Sequence, residues 1–418
     1  MNRMLYVYKS MLNKLQNEGR STIIFILIII MMTALFVSRT FLSASMMVFI
    51  LVTFSHPGWK KQLRTFLLTP LLWGMSLLFI IPLLSGLWSD DKQQWLDVIR
   101  VKLPLLFLPL AFAGPFVISK KQGELLVYIF IALITTGTLW CMYHYLPHAN
   151  EVNEGYLRAK SLLTPLGNDR VRFSWLISVA ALLGGWFAIL KQKNNKTISV
   201  VLIMVTGWLV IFLHILAVRT GLFSLYLIVF ALAIWLLIKK INWRYSISLL
   251  ILLGSLPLVA YFLFPTFQNR LKYINYDFEY FKKVHYLPGG NDAIRVISIR
   301  AGWEITKENP VTGTGFGDIL IEAKKWYELN YPQMTEEDKI YPGSEWMIHG
   351  AGSGIPGLLI FTAVMFLPFF IQVKERLLWY MMNGTAAFSF LFDIGLEVQF
   401  GVFIWSFIVL WWWKWLKQ

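Results

Sequence analysis

The chain has 418 residues, 57% of them hydrophobic and 15% charged, against roughly 25% charged in an ordinary soluble domain. Its single cysteine, Cys141, excludes an intramolecular disulfide. The net charge of +15 invites a nucleic-acid reading, but the distribution of that charge along the chain excludes it.

Residues 1–20 are polar and basic. The apolar run from Ser21 to Ser38 has no small-residue cleavage site after it, so it reads as a first membrane span and not as a removable signal. A spanning helix needs about 20 mostly apolar residues, and its backbone must be satisfied internally in lipid. Runs of this kind lie near 21–38, 41–54, 66–87, 103–118, 125–145, 173–190, 198–217, 222–238, 246–264, 354–371, 377–392 and 399–413, the second being short. The expectation is an all-α polytopic membrane protein of about twelve transmembrane helices, with 1–418 as one membrane domain.

Segments 1–20, 55–65, 119–124, 191–197, 239–245, 372–376 and 414–418 share one side in this map and hold 19 Lys+Arg with 3 Asp+Glu. The rest of the chain holds 19 Lys+Arg and 20 Asp+Glu. Basic loops mark the cytoplasmic side, which puts both termini there. Trp411, Trp412, Trp413 and Trp415 beside Lys414 and Lys417 read as an interfacial aromatic anchor. The basic charge is thus a topology signal, with membrane lipids as its partner.

Two outer segments are long enough to carry function, about 147–172 and 265–353. In the larger one Ile294, Ile297, Ala301 and Ile305 recur at helical spacing until Asn309-Pro310, and a second helix is expected from Asp318 to Asn330. The spacing predicts a helical cap on the outer face. Between these helices Gly313-Thr-Gly-Phe-Gly317 lacks the preceding strand of a dinucleotide fingerprint and reads as a turn. Of His56, His144, His148, His214, His285 and His349, only His144 and His148 stand at helical ligand spacing, with Glu151 the nearest further ligand. No metal site and no cofactor motif is expected. The run Glu336-Glu-Asp338 reads as a solvated turn.

The arginines are more informative. Arg219 stands between two apolar runs at the outer face, Arg170 and Arg172 open the sixth span on that side, and Arg295 and Arg300 lie on the first loop helix. Forked guanidinium donors suit phosphate oxygens. The plainer alternative is that each arginine snorkels to a headgroup or pairs with a loop carboxylate.

Asn309-Pro-Val-Thr-Gly-Thr-Gly-Phe-Gly317, with Arg295 and Trp303 upstream, resembles the "NPlxGxGxG" stretch of the O-antigen ligase and polymerase superfamily. Val218-Arg219-Thr-Gly221 is similar to its "SRG" element, Gly354-Ile-Pro-Gly357-Leu-Leu-Ile-Phe361 to "GxxGLLxF", and Leu396-Glu397-Val-Gln399-Phe-Gly401 to "LExQxG". Thr164-Pro165 and Arg172-Phe-Ser174 resemble the stretch before the sixth span. The resemblance covers roughly 165–405 and implies a GT-C-like, metal-independent glycosyltransferase of the bacterial inner membrane, its site facing the periplasm. Such enzymes pass a glycan from a polyprenyl (undecaprenyl) diphosphate to lipid A-core, to a second lipid-linked repeat, or to protein. It also implies that Arg219 and Arg295 are catalytic; Arg170 and Arg172, by their placement on the same side, are expected to join them on the diphosphate. Ligase-type members carry a histidine where this chain has Gly343. Glu345 and His349 are then the candidate bases. A transporter or flippase is the rival class, but it would place ionisable groups within spans; a non-catalytic scaffold is the third.

Overall fold

The computed structural model describes residues 2–240, 243–284, 286–290 and 292–417, with backbone alone for 2–17 and 284. His285 lies outside the described residues. All regular structure among them is helical: α1 (Asn2–Val37), α2 (Arg39–Phe54), α3 (Trp59–Leu68), α4 (Pro70–Ser85), α5 (Lys92–Phe112), α6 (Lys120–Tyr145), α7 (Ala149–Gly155), α8 (Pro165–Asn168) and α9 (Arg170–Lys191). There follow α10 (Lys196–Leu216), α11 (Arg219–Ile238), α12 (Trp243–Leu263), α13 (Pro265–Val284), α14 (Asp292–Glu308), α15 (Ile319–Asn330), α16 (Glu345–Phe366), α17 (Arg376–Phe390) and α18 (Gln399–Leu416). Polar caps open several of them. Ser119 and Gln122 form a reciprocal capping box on α6, while Asp91, Asp169 and Asn195 accept from backbone amides at the starts of α5, α9 and α10.

Seven of the described helices are long and apolar enough to cross a membrane, or eight if α2 and α3, bent by 108°, count as one span. Every predicted run overlaps a helix, though 66–87 straddles the break between α3 and α4, and length and apolarity support fewer than twelve crossings. α4 and α17 have 16 and 15 residues, and α5 carries Asp97, Arg100 and Lys102. The run expected at 103–118 is displaced, because α5 starts at Lys92 and stops at Phe112 before Gly114-Pro115.

α18 is enclosed by its neighbours, and Trp411, Trp412 and Trp413 are 0%, 0% and 2% exposed. This corrects the interfacial reading of the tryptophan run, whose indoles fill the core while Lys414 donates to the Phe112 and Gly114 carbonyls. α12 is the opposite case, with only 11% of its apolar window buried and Ile251, Leu258, Phe262 and Leu263 exposed, as a lipid-facing helix should be.

Both long segments, 147–172 and 265–353, do contain helices. α14 and α15 appear where the apolar spacing puts them, whereas α13 was not anticipated. The glycine turn is a packing device. Thr314 and Gly315 donate to the Ala351 and Gly352 carbonyls, just before the break in α16 at Ser353 and Gly354. Phe316 and Gly317 donate to Ser85 and Ser89, and the Asp318 carboxylate accepts from the Asp90 and Asp91 amides. Gly313 and Gly315 have φ of +64° and +91°, a region that glycine enters without strain.

Candidate functional site

Where α9 and α11 begin, beside α13 and α14, lies a cavity of about 370 Å³. Arg170, Arg219, Arg270, Arg295 and Asp292 line it, with Phe223, Phe278, Phe388 and Phe392 among its apolar walls.

Local structure explains the convergence. α10 ends at Ala217, which is left-handed at φ 48°, so α11 turns back at once with Arg219 as its first residue. The end of α10 is pinned because the Tyr156 hydroxyl donates to the Leu216 carbonyl and Thr266 to that of Ile215. α11 approaches α9 so closely that a Cβ at Gly221 would lie 2.6 Å from the Cβ of Ser174. Asp277 of α13 accepts from the Asp292 and Ala293 amides at 2.7 and 3.2 Å and so caps α14. That places Asp292 against Arg219, with which it forms an ion pair.

Arg295, on the first turn of α14, donates through Nη1 to the Phe392 carbonyl at 2.9 Å. Arg170 donates to the Ser161 hydroxyl at 2.8 Å and to the Ala159 carbonyl. Arg270 of α13 is 9% exposed, and its Nε and Nη1 are buried without a hydrogen-bond partner. Burial, then the nearby Arg219, pushes the Arg270 guanidinium below its ordinary value, while Asp292 acts the other way. Burial does the same to Arg295, opposed by Asp393. Four cations therefore face one carboxylate in a partly desolvated space, an arrangement suited to an anion with several oxygens.

Three of the sequence-derived site residues, Arg170, Arg219 and Arg295, meet in this cavity. Arg172 does not line it. Its Nη2 lies 3.1 Å from Asp393 and its Nη1 3.3 Å from Asp169, beside a separate void of about 30 Å³ walled by Trp175 and Trp405. Burial raises the Asp393 carboxyl above its usual range, with Arg172 and Arg295 drawing it back.

Glu345 and His349 do not line the cavity either. Glu345 is fully buried and accepts from the Leu396 amide at 2.5 Å. Beside it the buried Lys102 donates to the Leu396 carbonyl at 3.0 Å and to Glu397 at 2.5 Å. His349 is fully buried, stacked on Phe361 at 4.5 Å and edge-on to Phe316 at 5.4 Å. Gly343 abuts Arg295, and a Cβ there would lie 2.8 Å from the Arg295 Cγ and 2.9 Å from the Ser298 Oγ. Sequence reasoning did not single out Arg270, Asp292 or Lys102. Among the described residues no group of three His, Cys, Asp or Glu could hold a metal ion.

Fold and site together define a multi-pass membrane protein, all-helical among its described residues, with an arginine-lined cavity where α9 and α11 begin. Residues 202–362 match the family model described as O-antigen ligase. That stretch runs from α10 into α16, through the helices that carry Arg219, Arg270 and Arg295. No curated protein matches the chain.

Proposed function

We propose that the protein is a glycosyltransferase that moves a glycan from a polyprenyl diphosphate carrier to an acceptor on the periplasmic side of the inner membrane. O-antigen ligation to lipid A-core is the form put forward, and polymerisation onto a second lipid-linked repeat is the alternative within the same superfamily. The observation that carries this reading is the convergence of Arg170, Arg219, Arg270 and Arg295 on one cavity. In glycosyl transfer from a lipid diphosphate, the bond from the anomeric carbon to phosphate breaks and negative charge grows on the departing diphosphate. Preorganised cations stabilise that charge without a metal. The reading includes twelve spans with both termini cytoplasmic and 265–353 as the large periplasmic loop.

The test uses purified protein with a defined lipid-diphosphate donor. Arg219→Ala and Arg295→Ala are each expected to cut transfer at least about tenfold, since a hydrogen bond to a charged group contributes about 1.5–3 kcal/mol. Lysine at either position should restore only part, because it lacks the planar fork. Full activity in both alanine variants would remove the diphosphate site. Transfer is expected to survive EDTA, and a strict need for added Mg²⁺ or Mn²⁺ would reject metal independence. The envelope glycolipids of a deletion strain separate the two forms: lost long chains with accumulated donor indicate ligation, single-repeat forms polymerisation.

A further inference from the structure

The acceptor hydroxyl must lose a proton in this reaction, and the position of the ligase-type histidine is occupied here by Gly343. Asp292 is the only carboxylate among the described residues lining the cavity, and no histidine lines it. The Tyr156 hydroxyl is already engaged, donating to Leu216 and accepting from the Leu162 amide. Asp292 is 2% exposed, and its backbone amide is fixed by Asp277. Its carboxylate pairs with Arg219, one of the cations placed on the diphosphate. Arg270 and Arg295 also face it across the cavity.

We propose that Asp292 is the catalytic base, and that the donor diphosphate frees its carboxylate by taking Arg219. The inference rests on the diphosphate reading above. A guanidinium fork satisfied by phosphate oxygens holds a neighbouring carboxylate less firmly, and two anions sharing one cation repel. Donor binding therefore turns Asp292 from an ion-pair partner into a proton acceptor within the same cavity. The acceptor oxygen bonds to the anomeric carbon, the bond from that carbon to the diphosphate breaks, and the hydroxyl proton passes to Asp292. The lipid diphosphate leaves with the bonding pair, and the proton returns from Asp292 to solvent.

Two quantities separate this role from a structural one: binding of farnesyl diphosphate to the full-length protein in detergent, and single-turnover transfer from a lipid-diphosphate donor. Asp292→Asn removes the competitor for Arg219, so farnesyl diphosphate should bind about two- to fivefold tighter, the scale of one modest ion pair. Transfer by the same variant should fall at least about a hundredfold, the usual contribution of a general base. Weaker binding together with lost transfer would make Asp292 a mere support for Arg219 and overturn the proposal; so would unchanged transfer. Asp292→Glu keeps the ion pair and with it the local fold. It should bind the probe normally and transfer about tenfold more slowly or worse, because the carboxylate is displaced; wild-type transfer in this variant also overturns the proposal. If the wild-type protein does not bind farnesyl diphosphate, or Arg219→Ala binds it equally well, the diphosphate reading itself fails.

Discussion

Arg170 and Arg172 stand two positions apart at the start of α9, and residues so spaced point to different sides of a helix. Arg170 faces the cavity and Arg172 faces Asp393. Their alanine variants should differ accordingly. Arg172→Ala leaves the Asp393 carboxylate buried without its partner, a loss on the order of 3 kcal/mol, to be read as reduced thermal stability in detergent. Asp393→Asn in the same background should recover part of that loss, since the stranded charge is gone. Arg170→Ala should leave thermal stability nearly unchanged and weaken farnesyl diphosphate binding. Equal behaviour of the two variants would mean that their different surroundings have no energetic consequence. At this scale the sequence marks Arg219 and Arg295, which interrupt apolar or periodic patterns. It hides Asp292, because an acid in a first helical turn is what the helix dipole favours in any case. Arg270 is hidden among the other basic residues of α13, Lys272, Lys282 and Lys283.

Among the elements, the short connection between α17 and α18 links two clusters. Its Phe392 carbonyl receives Arg295, its Leu396 amide is held by Glu345 and its Leu396 carbonyl by Lys102. Glu345 thus serves as an acceptor that fixes this connection, and through it the place of Phe392. Glutamine keeps an oxygen there, so Glu345→Gln should transfer within a few-fold of wild type. Glu345→Leu leaves the Leu396 amide unpaired at a cost of about 1–3 kcal/mol, and should lose both thermal stability and transfer. Abolished transfer in a folded Glu345→Gln would instead make this carboxyl the base. Gly343→His should not raise activity, because its Cβ must displace the Arg295 stem and Ser298; a gain would show that Arg295 is not where it is needed. The helices α14 and α15 were legible from their apolar spacing and from Asn309-Pro310. α13 was not, since its aromatic and basic residues also suit a polar loop. Lys102 sat beside a predicted span and nothing local signals its burial, which comes from α18 and the connection before it folding over α5.

For the whole molecule, apolarity gives crossings and charge gives direction, and the two can be tested apart. Glu151 follows α6, Lys193 follows α9, Lys240 follows α11, and Glu322 lies beyond α12. The helices between these positions, α9 to α12, are all long and apolar enough to span, so the relative sides do not depend on how many of α2–α5, α17 and α18 cross. One helix separates Glu151 from Lys193 and they should face opposite sides. Two separate Lys193 from Lys240, which should share a side, and α12 puts Glu322 opposite Lys240. The absolute direction rests on Lys191, Lys193, Lys196, Lys239, Lys240 and Arg244, a concentration that the positive-inside rule assigns to the cytoplasm. Reporter fusions at Lys193 and Lys240 are therefore expected to read cytoplasmic, and those at Glu151 and Glu322 periplasmic. Agreement between Glu151 and Lys193 would deny α9 its crossing and break the fold as read. Reversal of all four would keep every helix in place but turn the arginine cavity toward the cytoplasm, where a periplasmic transfer could not occur. A fifth fusion at Asp393, which pairs with Arg172 at the start of α9, is expected to read periplasmic with Glu151, as it must if α16 and α17 both cross; a cytoplasmic reading would deny α17 its crossing and contradict that ion pair.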